Sequence, residues 1–103
     1  FSAKLASSPA DVMITIWNED SIGESIALAT ELRSKDLRVD LYPEPDKLAK
    51  QFKYASSRGI PFVAIIGEDE RLRGEAAIKD MRSGEQRSVK RGEVASALQD
   101  QTS

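Results

Sequence analysis

The sequence predicts a small three-layer α/β domain, and three observations carry that prediction. Two continuous apolar runs, Val12–Trp17 and Phe62–Ile66, have the length and unbroken hydrophobicity of strands buried on both faces. Between them lie two segments with helical spacing and one short alternating segment, which gives strand, helix, strand, helix, strand. After the second run, Glu75–Met81 and Gln86–Val89 read as a hairpin that leads into a last helix. Strands separated by helices need right-handed crossovers, so the sheet has a parallel core and the hairpin extends it as a mixed edge.

Taken in order, residues 1–10 are small and polar and read as a linker or tail. Behind Val12–Trp17, Ser21-Ile22-Gly23-Glu24 has the spacing of a capping box, with Ile22, Ile26, Ala29 and Leu32 as the inward face of a helix ending near Lys35. Arg38–Tyr42 alternates as a strand nearer an edge would, and Pro43-Glu44-Pro45 stops it because proline cannot donate to a ladder. Asp46 is placed to cap a second helix, with Leu48, Phe52 and Ala55 inward and Lys47, Lys50 and Lys53 around the other side. Gly59 suits a left-handed helix cap, and Pro61 bars continuation. Glu68–Gly74 reads as a polar turn, and Ser83-Gly84 as the turn of the hairpin. Gly92–Gln101 places Val94, Ala97 and Leu98 on one side of a short final helix, so the domain spans 11–99 with a tail at 100–103.

Composition removes many functions. The 103 residues suit one core, and 40% hydrophobic with 31% charged residues is globular rather than disordered composition. With no cysteine and no histidine, disulfide scaffolds, zinc sites of Cys/His type and Ser-His-Asp triads are excluded. Neither apolar run is long enough to span a bilayer as a helix, so no membrane role is expected. Missing cysteines fit a cytoplasmic location, and a start at Phe1 without signal-peptide features suggests a piece of a longer protein. Net charge is −2, yet between residues 44 and 58 Lys47, Lys50, Lys53 and Arg58 outnumber Glu44 and Asp46. A nucleic-acid partner would therefore be met by a patch rather than by bulk charge.

Three groups of residues are candidates for chemistry. Glu19, Asp20 and the Glu68-Asp69-Glu70 run follow the two buried strands, where α/β sheets bind ligands, and Glu19, Asp20 and Asp69 would serve a metal-dependent phosphotransfer domain. Solvated acidic turns explain the same residues, and no aspartate ends the third strand, where Ile66-Gly67 stands. No G-x-G-x-x-G or G-K-[ST] phosphate loop occurs. The third group is the basic face Lys47, Lys50 and Lys53 beside Gln51 and Tyr54, with Lys79, Arg82 and Arg87 of the hairpin added to the same surface. Lysines contact phosphates, while amides and aromatic rings meet unpaired bases. An ordinary solvated helix face is the competing reading.

Beyond residue chemistry, DLYPEPDKLAKQFKYASSRGIPFVAIIGEDE (Asp40–Glu70), followed by Gly74, Ile78-Lys79-Asp80-Met81 and Gly84-Glu85-Gln86, resembles the C-terminal anticodon-binding domain of histidyl-tRNA synthetase. That domain is shared with the glycyl-, threonyl- and prolyl-tRNA synthetases, and the resemblance runs from about Asp11 to Leu98. It implies a five-stranded mixed sheet in the order 2-1-3-4-5, with the fourth strand antiparallel and three flanking helices. It implies recognition of the anticodon of a histidine tRNA by a non-catalytic module, without a cofactor of its own. ATP, magnesium and histidine would bind a catalytic domain elsewhere in a homodimeric parent. A synthetase-like paralogue or accessory subunit with the same fold is the alternative. Carried over by position, Glu70 and Lys79 align with residues that face anticodon bases in the threonyl relative. Tyr42 and Phe52 are then stacking candidates, with Phe52 better suited to the core. Lys47, Lys50 and Lys53 become phosphate contacts, Gln51 a base reader and Arg82 an addition to the same surface.

Overall fold

The computed structural model describes residues 10–16, 18–19, 22–42 and 47–102, the side chains of 100–102 excepted. Strand β1 (Val12–Ile14) is fully buried, and it pairs in parallel with β2 (Val39–Leu41) on one side and β3 (Phe62–Ile65) on the other. β3 pairs antiparallel with β4 (Glu75–Asp80), which pairs antiparallel with β5 (Gln86–Lys90). The five-stranded sheet therefore has the order β2-β1-β3-β4-β5 that the resemblance implied.

Alternation along each strand sorts the core into two layers. Val12, Ile14, Phe62, Ala64, Ala76 and Ile78 face helices α1 (Ile22–Ser34) and α4 (Val94–Thr102), meeting Leu28, Ala29, Leu32, Val94 and Leu98. Met13, Val63, Ile65 and Ala77 face helix α2 (Leu48–Ser57), with Ala55 buried against them and Leu48, Phe52 and Tyr54 partly buried. A further helix, α3 (Glu68–Arg73), occupies the segment expected to be a turn, so that among the described residues four helices flank the sheet where three were expected. Gly67 begins it, and Gly74, at φ 68°, ends it in the left-handed conformation. A 3-10 turn, Arg91–Glu93, leads from β5 into α4.

Several element details differ from expectation. In α1 the buried stripe is Ser25, Leu28, Ala29 and Leu32, whereas Ile26 is 48% exposed. The cause is a polar requirement. β1 is short, and the buried carbonyl of Thr15 just beyond it accepts a hydrogen bond from Ser25 Oγ at 3.0 Å, which turns the 25/28/29/32 face toward the sheet. Ser21, Asp20 and Trp17 lie outside the described residues. The Glu24 carboxylate of the expected capping box is held by Arg91 Nη1 at 2.7 Å and by Arg71. Asp46 also lies outside them, and Lys47 occupies the N-cap position of α2, with φ −66° and ψ 140°.

The hairpin end is fastened by Asp80. Its carboxylate accepts from the Arg82 amide at 2.8 Å, from the Ser83 amide at 3.4 Å and from Arg82 Nε at 3.4 Å. These bonds, led by the Arg82 amide, hold the Asp80 carboxyl below its usual value. A depressed folded value means that the contribution is present above the unfolded pKa, near 3.9, and is lost as pH falls through the folded value. Asp80→Asn is thus expected to lower stability near pH 6 while changing little near pH 2, so that the acid side of the stability curve flattens, as read by urea midpoints between about pH 2 and pH 6.

Candidate nucleic-acid interface

The geometry divides the basic and aromatic residues between two faces of the sheet and two flanks of α2. Directly opposed residues of an antiparallel pair point to the same side. Lys79 opposes Gln86 and Ala77 opposes Ser88, and Ala77 belongs to the layer under α2. Lys79, Gln86 and Ser88 therefore rise from the α2 side of the sheet. Ile78 opposes Arg87, and Ile78 packs in the other layer, so Arg87 lies on the reverse face. Arg82 turns the same way, with its guanidinium 5.3 Å from the ring centre of Phe62. One surface holding Lys79, Arg82 and Arg87 together is thus corrected: the pleat separates Lys79 from the two arginines.

Gln51 is the second correction. It is 0% exposed, and its amide closes a two-bond ring with one backbone residue: Ile16 N–H donates to Gln51 Oε1 at 2.9 Å, and Gln51 Nε2 donates to Ile16 C=O at 2.9 Å. A side chain in that position cannot present its amide to a base. Its sequence signal was position: Gln51 lies on the i, i+3, i+4 stripe with Leu48, Phe52 and Ala55, the face that α2 turns to the sheet.

The other residues of α2 follow from its 100° step. Lys50 and Tyr54 share one flank, and Tyr54 meets Tyr42 edge-on, with centroids 5.4 Å apart at 85°. Tyr42 is half-buried in this contact, at the β2 edge of the sheet. Lys47 stands near the same flank, and Lys53 points away from the sheet; all three lysines are exposed. Phe52 lies on the opposite flank, toward β4, where Lys79 Nζ sits 4.6 Å from its ring centre. The ring fixes the ammonium over an open stretch of sheet.

Glu70 stands beyond the carboxyl end of β3. Its Oε1 accepts the Gly67 amide at 2.9 Å, the reach-back contact that holds the first turn of α3, and its Oε2 lies 3.6 Å from Arg73 Nη2. Arg73 is also paired with Glu75 at 2.9 Å, and that hydrogen bond is the main cause raising its guanidinium above its ordinary value. A carboxylate oriented by its own backbone is pre-organised as an acceptor. Gly67 provides the room: a Cβ there would come 2.7 Å from Glu70 Oε1. Gly67→Ala should push the carboxylate outward and strip the amide of its acceptor, at a cost of about 1 kcal/mol. Thermal unfolding measures that cost.

The far end of α3 is anchored as well. Arg91 donates from its amide to Gly74 C=O at 3.1 Å and from Nε to Glu75 C=O at 3.3 Å, while its Nη1 meets Glu24. Arg71 of α3 joins the same Glu24. Neither arginine featured in the sequence reading, because their partner lies far away in the chain. Of the acidic phosphotransfer set, Glu19 and Asp69 are exposed and Asp20 is outside the described residues; among the described residues no group of three carboxylates gathers as a metal site would. No helix among them is long and apolar enough to cross a membrane.

Comparison with known proteins agrees with this architecture. A histidine–tRNA ligase of Xylella fastidiosa (strain M23) is 38% identical over 95 residues, covering 92% of this chain and 20% of the relative. One from Porphyromonas gingivalis (strain ATCC BAA-308 / W83) is 42% identical over 73 residues, covering 71% of this chain and 16% of the relative. The chain thus spans about a fifth of the length of the relatives it matches. A crystal structure of histidyl-tRNA synthetase from Nostoc sp. PCC 7120 superposes with a TM-score of 0.89 at 30% identity, over 92% of this chain and 23% of that one. Residues 11–101 match the anticodon binding domain family, and the chain belongs to that family.

Proposed function

We propose that this chain is the anticodon-recognition module of a histidyl-tRNA synthetase and binds the anticodon loop of a histidine tRNA. The observation that carries the reading is the open α2-side surface of β4 and β5, where a cation held on an aromatic ring stands beside exposed amide and hydroxyl side chains. Unpaired bases are recognised by such combinations, with stacking and hydrogen bonds reading the base and lysines holding phosphates. The similarity to histidine–tRNA ligases directs the choice of tRNA. Lys79 then meets a base carbonyl or a phosphate, Glu70 accepts from a base donor, and Lys47, Lys50 and Lys53 bind flanking phosphates along the outer side of α2. Tyr42 and Arg82 are peripheral in this reading, the first because it packs on Tyr54 and the second because it turns to the reverse face. Histidine, ATP and magnesium belong to the remainder of a homodimeric, cytoplasmic synthetase.

Amide chemical-shift mapping tests the reading. Titration with an RNA hairpin carrying the histidine anticodon GUG should move the amides of β4, β5 and α3 and leave those of α1 and α4 unmoved. Shifts confined to α1 and α4 would contradict it.

A further inference from the structure

We infer that Gln86 is a base-reading residue of this interface, a role resting on the anticodon reading above. Gln86 directly opposes Lys79 across the β4–β5 pair, so both side chains leave the same face. Ser88 follows two residues later on that face, opposite Ala77, which is buried at its floor. Phe52 walls the side toward α2 and holds Lys79 Nζ 4.6 Å from its ring centre. Beyond Phe52, among the described residues, no helix covers this part of the sheet: α2 packs on Met13, Val63, Ile65 and Ala77, and α4 packs on the reverse face. Both Gln86 and Ser88 are exposed.

The chemistry of this row is that of a base-edge reader. A carboxamide carries a donor and an acceptor side by side and can pair with a base edge that offers both, a combination that neither an ammonium nor a carboxylate carries. Gln51, the amide that sequence position had suggested, spends both groups on Ile16. Gln86 is the amide that the fold leaves available beside the cation. Lys79 neutralises phosphate or donates to a base carbonyl, while Gln86 distinguishes which base stands there and Ser88 supplies a further hydroxyl.

The test compares the 103-residue chain with its Gln86→Ala and Ser88→Ala variants, titrated with the GUG hairpin and three hairpins in which one anticodon base at a time is replaced. Circular dichroism and urea midpoints verify that each variant is folded, which substitution at an exposed strand position should permit. Gln86→Ala is expected to lose about fivefold or more of the preference at one anticodon position and to leave the other two unchanged. Gln86→Ala retaining the full preference at all three positions, while the unaltered chain discriminates, would overturn the role of Gln86 alone. An unaltered chain that binds all four hairpins equally would overturn this role together with the anticodon reading.

Discussion

Gln51→Ala is expected to destabilise the domain by about 2–4 kcal/mol, because it strands two buried backbone groups at once. Ile16 lies two residues beyond Ile14, the last paired residue of β1, and its N–H and C=O are both satisfied by the Gln51 amide at 2.9 Å. Each orphaned group costs roughly 1–3 kcal/mol, and a domain of this size holds only about 5–15 kcal/mol in total. Gln51→Leu fills the space but restores neither bond, so it should cost nearly as much. Gln51→Glu keeps the acceptor for Ile16 N–H, loses the donor for Ile16 C=O and buries a charge. Urea unfolding at neutral pH measures all three. Affinity for RNA, corrected for the folded fraction, should not change, which separates a structural amide from a base reader.

Lys79→Glu should reduce binding of the GUG hairpin by about 2 kcal/mol, through lost attraction and like-charge repulsion against phosphate. The substitution also removes the ammonium from the Phe52 ring. Stability should fall by about 1 kcal/mol, since a half-buried cation–π contact contributes about that much. If Lys79 meets a phosphate, the slope of log affinity against log salt should drop by about one and all hairpins should weaken alike. If it meets a base carbonyl, the loss concentrates at one anticodon position. Arg87→Glu provides the internal control, since Arg87 lies on the reverse face and should affect binding much less.

How much of this was legible in the sequence depended on whether a residue's task was local. The two apolar runs led directly to β1 and β3, and Gly59, expected as a left-handed cap, follows α2 with φ 72°. The short helix α3 was not legible as a helix. Its sequence, EDERLR, has no inward stripe, and its one apolar residue, Leu72, is 84% exposed. It is held by its glycine termini, by Glu70 reaching back to Gly67 and by Arg91, none of which produces a hydrophobic period. The inward face of α1 was misread for a related reason. Apolar spacing favoured Ile26, whereas the unpaired carbonyl of Thr15 required Ser25.

The candidate interface divides along the same line. Lys79 could be placed on a strand from the sequence, but which neighbours share its face depends on cross-strand register, and the register puts Gln86 and Ser88 beside it and Arg87 behind it. Gln51 looked like a recognition residue because it stands among lysines in the chain. In the fold it is fully buried on the face that α2 turns to the sheet, bonded to Ile16. Polar residues that complete another strand's hydrogen bonding are invisible to composition, and here Ser25 and Gln51 both serve the same end of β1.

The central claim, that this domain reads an anticodon, is tested most directly by fluorescence titration at low salt with two hairpins of identical stem, one bearing GUG and the other those three bases scrambled. The account predicts tighter binding of the GUG hairpin, with a preference that persists as salt rises while both affinities fall, because base contacts carry the difference and phosphate contacts carry the salt dependence. Equal affinity for the two hairpins at every salt concentration would contradict it.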